Sequence, residues 1–232
     1  MNKIPGLILA SNSPRRRQLL SLTGMDFQVQ PADLDETLLP GEQPWEYVLR
    51  LAQGKAREVA SIVGGSEIIL AADTIVVDAD AILGKPVDPQ EAASMLQGLR
   101  GHTHQVYTGL ALCSSYCNRM LTDICIVDVP MRDFTNEEMN TYIASGDPLD
   151  KAGAYAIQHD GFQPVEKMQG CFAGVMGLPL CHLERRLKQM DIKLLEDIPA
   201  RCQAELKYKC SVWQEIMKDD ELVGELPMEG RK

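Results

Sequence analysis

Two kinds of apolar patterning alternate along this chain, and any fold must accommodate both. Leu7-Ile-Leu-Ala10 and the stretch from Glu67 to Val77 carry short, nearly continuous apolar runs, the pattern of buried strands. Between them Trp45, Val48, Leu49, Ala52, Ala56, Val59, Ala60 and Val63 recur at helical spacing. That spacing predicts one helix from Pro44 to Val63 with a single buried face, ended by Gly64-Gly65. The same alternation continues. Ser13 and Pro14 are a good N-cap and first-turn residue for a helix closed by Gly24, and Asp88-Pro89 opens another to about Leu96. Strand-like stretches follow near His104–Leu112 and Leu121–Val129. Thr135 and Glu138 form a capping box for a helix reaching Ala144. Gly146 to Gln158 reads as a polar loop entering a strand, and Gly177-Leu-Pro179 leads into a helix near Leu180–Gln189. Strands mixed with helices in this way predict an α/β fold.

Beyond about Asp191 the pattern weakens and charges crowd in, so the chain divides into a body, residues 1–190, and a C-terminal extension, 191–232. One further helix is expected there, around Ala200–Met217. No apolar run approaches the ~20 residues a membrane helix needs. The first ten residues are too poor in charge and apolar length for a signal peptide, so a cytoplasmic protein without membrane contact is expected. Lys and Arg number 23 against 33 Asp and Glu, a net charge of −10. That balance repels nucleic acid and anionic membranes, and leaves small anions only where basic residues converge. The seven cysteines include no Cys-x-x-Cys pair and read as reduced, buried thiols.

Four stretches carry residues suited to chemistry. In Ser11-Asn-Ser-Pro-Arg-Arg-Arg17 a strand turns into a helix beside three arginines. Free N–H groups there favour an anion, whereas the arginines oppose the helix dipole by a few tenths of a kcal/mol. A phosphate bridging both would remove the conflict; taken alone, the segment reads equally as a solvated basic turn. Asp73 is an acid inside an apolar strand, and a carboxylate buried there needs a cation, a metal or a reacting water beside it. Lys55 shares the buried face of its helix, unless its stem snorkels outward. Lys85, in the turn Gly84-Lys-Pro86, is placed to return to the same region, and Asp35 and Glu36 add a carboxylate pair. The last stretch, Ser145 to Gln158, offers Asp150, Lys151 and Gln158 as hydrogen-bonding groups between permissive glycines.

Taken together these stretches resemble the Maf family. The matching motifs are Ser-x-Ser-Pro-Arg-Arg (Ser11 to Arg16), Ala-Asp-Thr (Ala72 to Thr74), Gly-Lys-Pro (Gly84 to Pro86), Ser-Gly-Asp-Pro-x-Asp-Lys-Ala-Gly-Ala-Tyr (Ser145 to Tyr155), Ile-Gln (Ile157, Gln158) and Gly-Leu-Pro-Leu (Gly177 to Leu180). They fall in the family's order over about residues 5–190. The resemblance implies an elongated mixed sheet flanked by helices with a central cleft, of the Maf/ITPase type, often as a homodimer. It implies hydrolysis of a nucleoside triphosphate to monophosphate and pyrophosphate with a divalent cation, Mg²⁺ or Mn²⁺. By motif, Asp73 is the general base; Arg15, Thr74 and Gln158 are the positions tied to substrate choice; Ser11, Arg16, Glu36, Lys55 and Lys85 are the remaining cleft positions. Glu36 and Asp73 are the expected metal ligands, with Asp73, Lys85 and Glu36 nearest the chemistry. Thr74 with Gln158 resembles the branch acting on dTTP and UTP, with CTP or modified pyrimidine nucleotides also within reach. The alternatives are the 7-methyl-GTP branch, a phosphatase of other specificity, and a non-catalytic nucleotide-binding regulator of cell division. Three departures stand out: Asp147 where Glu is common, His159 after Gln158 where Gly is usual, and the long tail.

Overall fold

A computed structural model describes residues 6–63, 65, 67–114, 119–218 and 225–227. It is a mixed α/β structure built on one sheet. The strands are β1 (Leu7–Leu9), β2 (Phe27–Val29), β3 (Ile68–Asp78), β4 (Ala81–Leu83), β5 (Thr103–Ser114), β6 (Arg119–Pro130) and β7 (Glu225–Pro227). Their order is β2-β1-β3-β5-β6-β7, with β4 also on β3. β1 runs parallel to β2 and β3, and the other pairings are antiparallel.

The helices are α1 (Pro14–Ser21), α2 (Pro44–Val63), α3 (Pro89–Leu99), α4 (Asn136–Ala144), α5 (Phe172–Met176), α6 (Leu180–Gln189), α7 (Ile198–Leu206) and α8 (Trp213–Lys218). β3 is covered on both faces. Ile68, Leu70, Ala72 and Val76 pack into the large core with Leu19, Leu96 and Leu183, while Ile69, Ala71, Ile75 and Val77 face α2. Burial on both faces is why the strand reads as an apolar run rather than an alternation. α2 sits close against the sheet because β5 carries Gly109 beneath it. A Cβ there would lie 2.7 Å from the Val48 carbonyl oxygen.

One feature of the sheet decides where a ligand can enter. β1 pairs with β3 only at Ile68 to Leu70, and β4 only at Val76 to Asp78. Between them, along residues 71–75, no strand pairs with that edge of β3 among the described residues. Consecutive side chains of a strand point to opposite faces, yet at an open edge both can reach one cleft. Asp73 and Thr74 occupy that gap.

The strands predicted at Leu7, Glu67, His104 and Leu121 and the helices at Pro14, Pro44, Pro89, Asn136 and Leu180 are present, with α3 running on to Leu99. Ser13, Asp88 and Thr135 cap their helices as expected. Several readings need correction. The Gly146–Gln158 loop does not enter a strand; it folds into two 3-10 turns, Asp147–Asp150 and Ala152–Ala154. Left-handed Gly146 and Gly153 (φ 77° and 66°) keep it from extending. Trp45, counted on the buried face of α2, is 48% exposed because it precedes the stretch lying on the sheet. Among its described residues the extension forms two helices where one was expected, since Lys207 at φ 49° ends α7. Of the predicted Gly64-Gly65 stop, Gly64 lies outside the described residues. β2, β4 and α5 are too short for periodicity to reveal.

The extension packs on the body. Ile198 is fully buried, Arg185 donates to the Ile216 carbonyl at 3.1 Å, and the Tyr208 hydroxyl donates to Met168 O at 3.0 Å. Buried Asp123 on β6 accepts from both Arg185 and Arg186, so the charges on buried α6 are paired. No helix among the described residues is long and apolar enough to cross a membrane.

Candidate active site

The open edge of β3 forms one wall of a cleft of about 580 Å³. Ser11, Arg15, Arg16, Glu36, Lys55, Asp73, Thr74, Lys85 and Gln158 all line it, as do Asp150 and Lys151; Asp35, whose Oδ1 accepts from Thr37, does not. Arg17 does not; it is exposed on the outer side of α1.

The Ser11–Arg16 turn is organised from within. Ser13 caps α1 by accepting from Arg16 N at 3.4 Å, and Ser11 Oγ accepts from Ser13 N at 3.2 Å. Arg16 then folds back over the cap instead of entering solvent. Its Nε donates to Gly177 O at 2.9 Å, Nη1 to Ser11 Oγ at 3.2 Å and Nη2 to Thr74 Oγ1 at 3.1 Å. Burial lowers the Arg16 pKa, and Asp73 pulls it back up. Gly177 is required at this contact: a Cβ there, at φ +110°, would stand 3.2 Å from Thr74 Oγ1 and 3.4 Å from Arg16 Nε.

Asp73 is 7% exposed on the α2 side of β3. The partner it needs is Lys55, 9% exposed, whose Nζ lies 2.6 Å from Asp73 Oδ1 and 2.5 Å from Glu36 Oε1. The snorkelling alternative for Lys55 is thereby removed. Lys55 follows Val48 by two helical turns, so the seating of α2 on Gly109 aims its ammonium at the gap. Glu36 lies in the irregular segment before α2, and the Tyr47 hydroxyl holds its carbonyl at 2.6 Å. Burial alone would raise the Glu36 pKa, but Lys55, Lys85 and Arg16 together hold it below the usual glutamate value. Lys85 sits in an exposed turn after β4, tied to the 3-10 loop by the Gly153 N to Gly84 O bond at 3.0 Å.

That loop positions Gln158. Buried Lys151 donates to Asp147 O, Asp147 Oδ1 and Asp150 Oδ1 at 2.6, 3.0 and 2.5 Å. Tyr142 donates to Asp147 Oδ2 at 2.8 Å and accepts from Ala156 N at 3.0 Å. Gln158 Oε1 is buried without a hydrogen-bond partner, a cost unless a ligand supplies the donor. His159 does not line the cleft; its Nδ1 accepts from Phe162 N at 2.9 Å and its ring stands against Tyr142. It therefore braces the turn after Gln158 rather than reshaping the pocket. Asp147, the other local departure, is spent on Lys151 and Tyr142.

Sequence reasoning missed Tyr47, Tyr155, Val175 and Met176 on the cleft wall. It also missed Thr108 behind Thr74. Among the described residues no group of three or more His, Cys, Asp or Glu side chains is arranged to hold a metal; Glu36 and Asp73 supply two carboxylates at one point.

A family model described as "Maf-like protein" matches residues 6–190. The chain belongs to the Maf family. Its Maf relatives include the dTTP/UTP pyrophosphatase of Geotalea uraniireducens, 45% identical over 79% of this chain and 94% of the relative. The dTTP/UTP pyrophosphatase of Bacillus cereus is 44% identical over 80% and 96%. That of Anaeromyxobacter dehalogenans is 43% identical over 82% and 96%. Among solved structures, a dITP/XTP pyrophosphatase from Mycobacterium abscessus aligns at TM-score 0.37 and 16% identity, covering 56% of this chain and 75% of that one. The Maf match ends near the start of the extension.

Proposed function

We propose that the chain hydrolyses a nucleoside triphosphate to the monophosphate and pyrophosphate, preferring uracil and thymine nucleotides. The observation that carries this reading is the pair of carboxylates, Asp73 and Glu36, gathered on Lys55 at 2.6 and 2.5 Å within a cleft that also takes in Arg15, Arg16 and Lys85. The relatives named dTTP/UTP pyrophosphatase support the same reaction class.

A triphosphate is multiply charged, and this acidic chain concentrates cations where one would lie. Arg15, Arg16, Lys55 and Lys85 hold its oxygens. Asp73 takes a proton from an attacking water. The water oxygen bonds to the α-phosphorus, the bond from that phosphorus to its bridging oxygen breaks, and pyrophosphate leaves with that oxygen. No covalent intermediate forms on the protein. Glu36 and Asp73 fit a hard divalent cation such as Mg²⁺ or Mn²⁺, since such ions take one or two carboxylates and complete their set with substrate phosphates. When bound, the ion supplies charge neutralisation at the phosphates and a lowered pKa for water.

The base falls to Gln158. Its amide can donate to O4 of uracil or thymine, whereas cationic 7-methylguanine calls for a carboxylate. Measuring kcat/KM with pyrophosphate detection for dTTP, UTP, CTP, GTP and 7-methyl-GTP tests both claims. UTP and dTTP should lead 7-methyl-GTP by roughly tenfold or more, and Gln158→Glu should narrow the gap. A wild-type preference for 7-methyl-GTP, or free phosphate in place of pyrophosphate, would overturn the reading.

Every candidate residue precedes the extension, so a chain ended at Gln189 should keep this hydrolysis. It should also melt at lower temperature, because burial of Ile198 alone is worth about 2 kcal/mol. Activity measured beside thermal unfolding decides it: a folded but inactive truncation would assign the extension to the site.

A further inference from the structure

We infer that Thr108 is a positioning residue: it fixes the direction of the Thr74 hydroxyl so that Thr74 presents only a lone pair to the cleft, and through it the N3–H of a uracil or thymine base is selected. This rests on the nucleotide reading above and assigns a cause to its base preference.

Thr108 is fully buried on β5, directly opposite Thr74 on β3. Its Oγ1 lies 2.8 Å from Gly174 O and 3.0 Å from Thr74 Oγ1. A hydroxyl carries a single hydrogen, and a carbonyl oxygen only accepts. The Thr108 hydrogen therefore goes to Gly174 O. The contact between the two threonines must then be made with the hydrogen of Thr74. On its other side Thr74 Oγ1 meets Arg16 Nη2 at 3.1 Å, and a guanidinium only donates. Thr74 has thus spent its hydrogen and one lone pair, and one lone pair remains.

Neither end of this chain can reverse. Gly174 O belongs to the backbone of α5, which also fixes Arg16 through Gly177 O at 2.9 Å. A side chain at Gly174 is excluded, since its Cβ would lie 2.5 Å from Cys125 Sγ. A ligand atom reaching Thr74 must accordingly donate. Thr74 lines the cleft with that lone pair as its acceptor, so the base edge it takes carries a proton. Uracil and thymine carry one at N3. Cytosine brings a bare lone pair to that position, facing the lone pair of Thr74.

The test uses the full chain and nucleoside monophosphates, so that binding is read apart from turnover. Dissociation constants for UMP and CMP are measured by titration calorimetry on wild type, Thr108→Val and Thr108→Ser. Valine keeps the shape but frees the Thr74 hydrogen to turn toward the cleft; serine keeps the relay. Wild type and Thr108→Ser should favour UMP over CMP by roughly tenfold, about the worth of one hydrogen bond made rather than opposed. In Thr108→Val the ratio should fall to within about threefold, mainly by tighter CMP binding. A valine variant that weakens both ligands in proportion, leaving the ratio intact, overturns the inference, because loss of packing alone does that. If valine prevents folding, the wild-type comparison decides: equal affinity for UMP and CMP overturns it. A wild type that binds neither nucleotide overturns the proposed function itself.

Discussion

Asp73→Asn is expected to lower kcat by ~10²–10⁴-fold, the usual worth of a general base, while the protein stays folded. Asp73 lies where one edge of β3 is open, 7% exposed, and asparagine matches its volume. The amide oxygen can still accept from Lys55, and Lys55 keeps Glu36 at 2.5 Å as its counter-ion. No buried charge is orphaned, which is the event that makes breaking a buried ion pair costly. What disappears is the proton acceptor and one negative charge in the cleft. Steady-state kinetics on UTP, with thermal unfolding as control, measure it. An asparagine variant that turns over near the wild-type rate would remove Asp73 from the chemistry.

Rigorous chelation with EDTA is expected to abolish hydrolysis without unfolding the chain, and added Mg²⁺ or Mn²⁺ to restore it. The fold is not expected to depend on an ion: Lys55 already pairs with both Glu36 and Asp73, and β3 is packed on both faces. The site does. Lys55, Lys85 and Arg16 outweigh burial and hold Glu36 below the ordinary glutamate pKa, so it is an anionic oxygen donor at neutral pH. Circular dichroism and pyrophosphate release on the same sample separate the two effects. Full activity after chelation would contradict the assignment of Glu36 and Asp73 as ligands.

How much of this was legible in the sequence depends on the range over which each signal acts. Asp73 stood out because an acid in an apolar run has few satisfactory environments. Lys55 stood out because helical periodicity placed it on a buried face, and its two carboxylate partners bear that out. The edge gap at residues 71–75 was invisible, since it arises where β1 and β4 happen to stop along β3. Without it, adjacent residues of opposite facing would not be expected in one cleft. Thr108 and Gly174 were invisible for a related reason: each is 34 or more positions from its partner, and neither residue type is unusual in its segment. The loop before Gln158 looked ready to extend, and two left-handed glycines with a triply bonded Lys151 curl it instead. His159, noted as a departure from the family pattern, braces a turn.

The central claim is that water attacks the α-phosphorus beside Asp73. Hydrolysis of UTP in ¹⁸O-labelled water, with mass analysis of both products after a single turnover, tests it most directly. The account predicts one labelled oxygen in UMP and none in pyrophosphate. Label in pyrophosphate, or release of labelled inorganic phosphate, would place the attack at another phosphorus and contradict it.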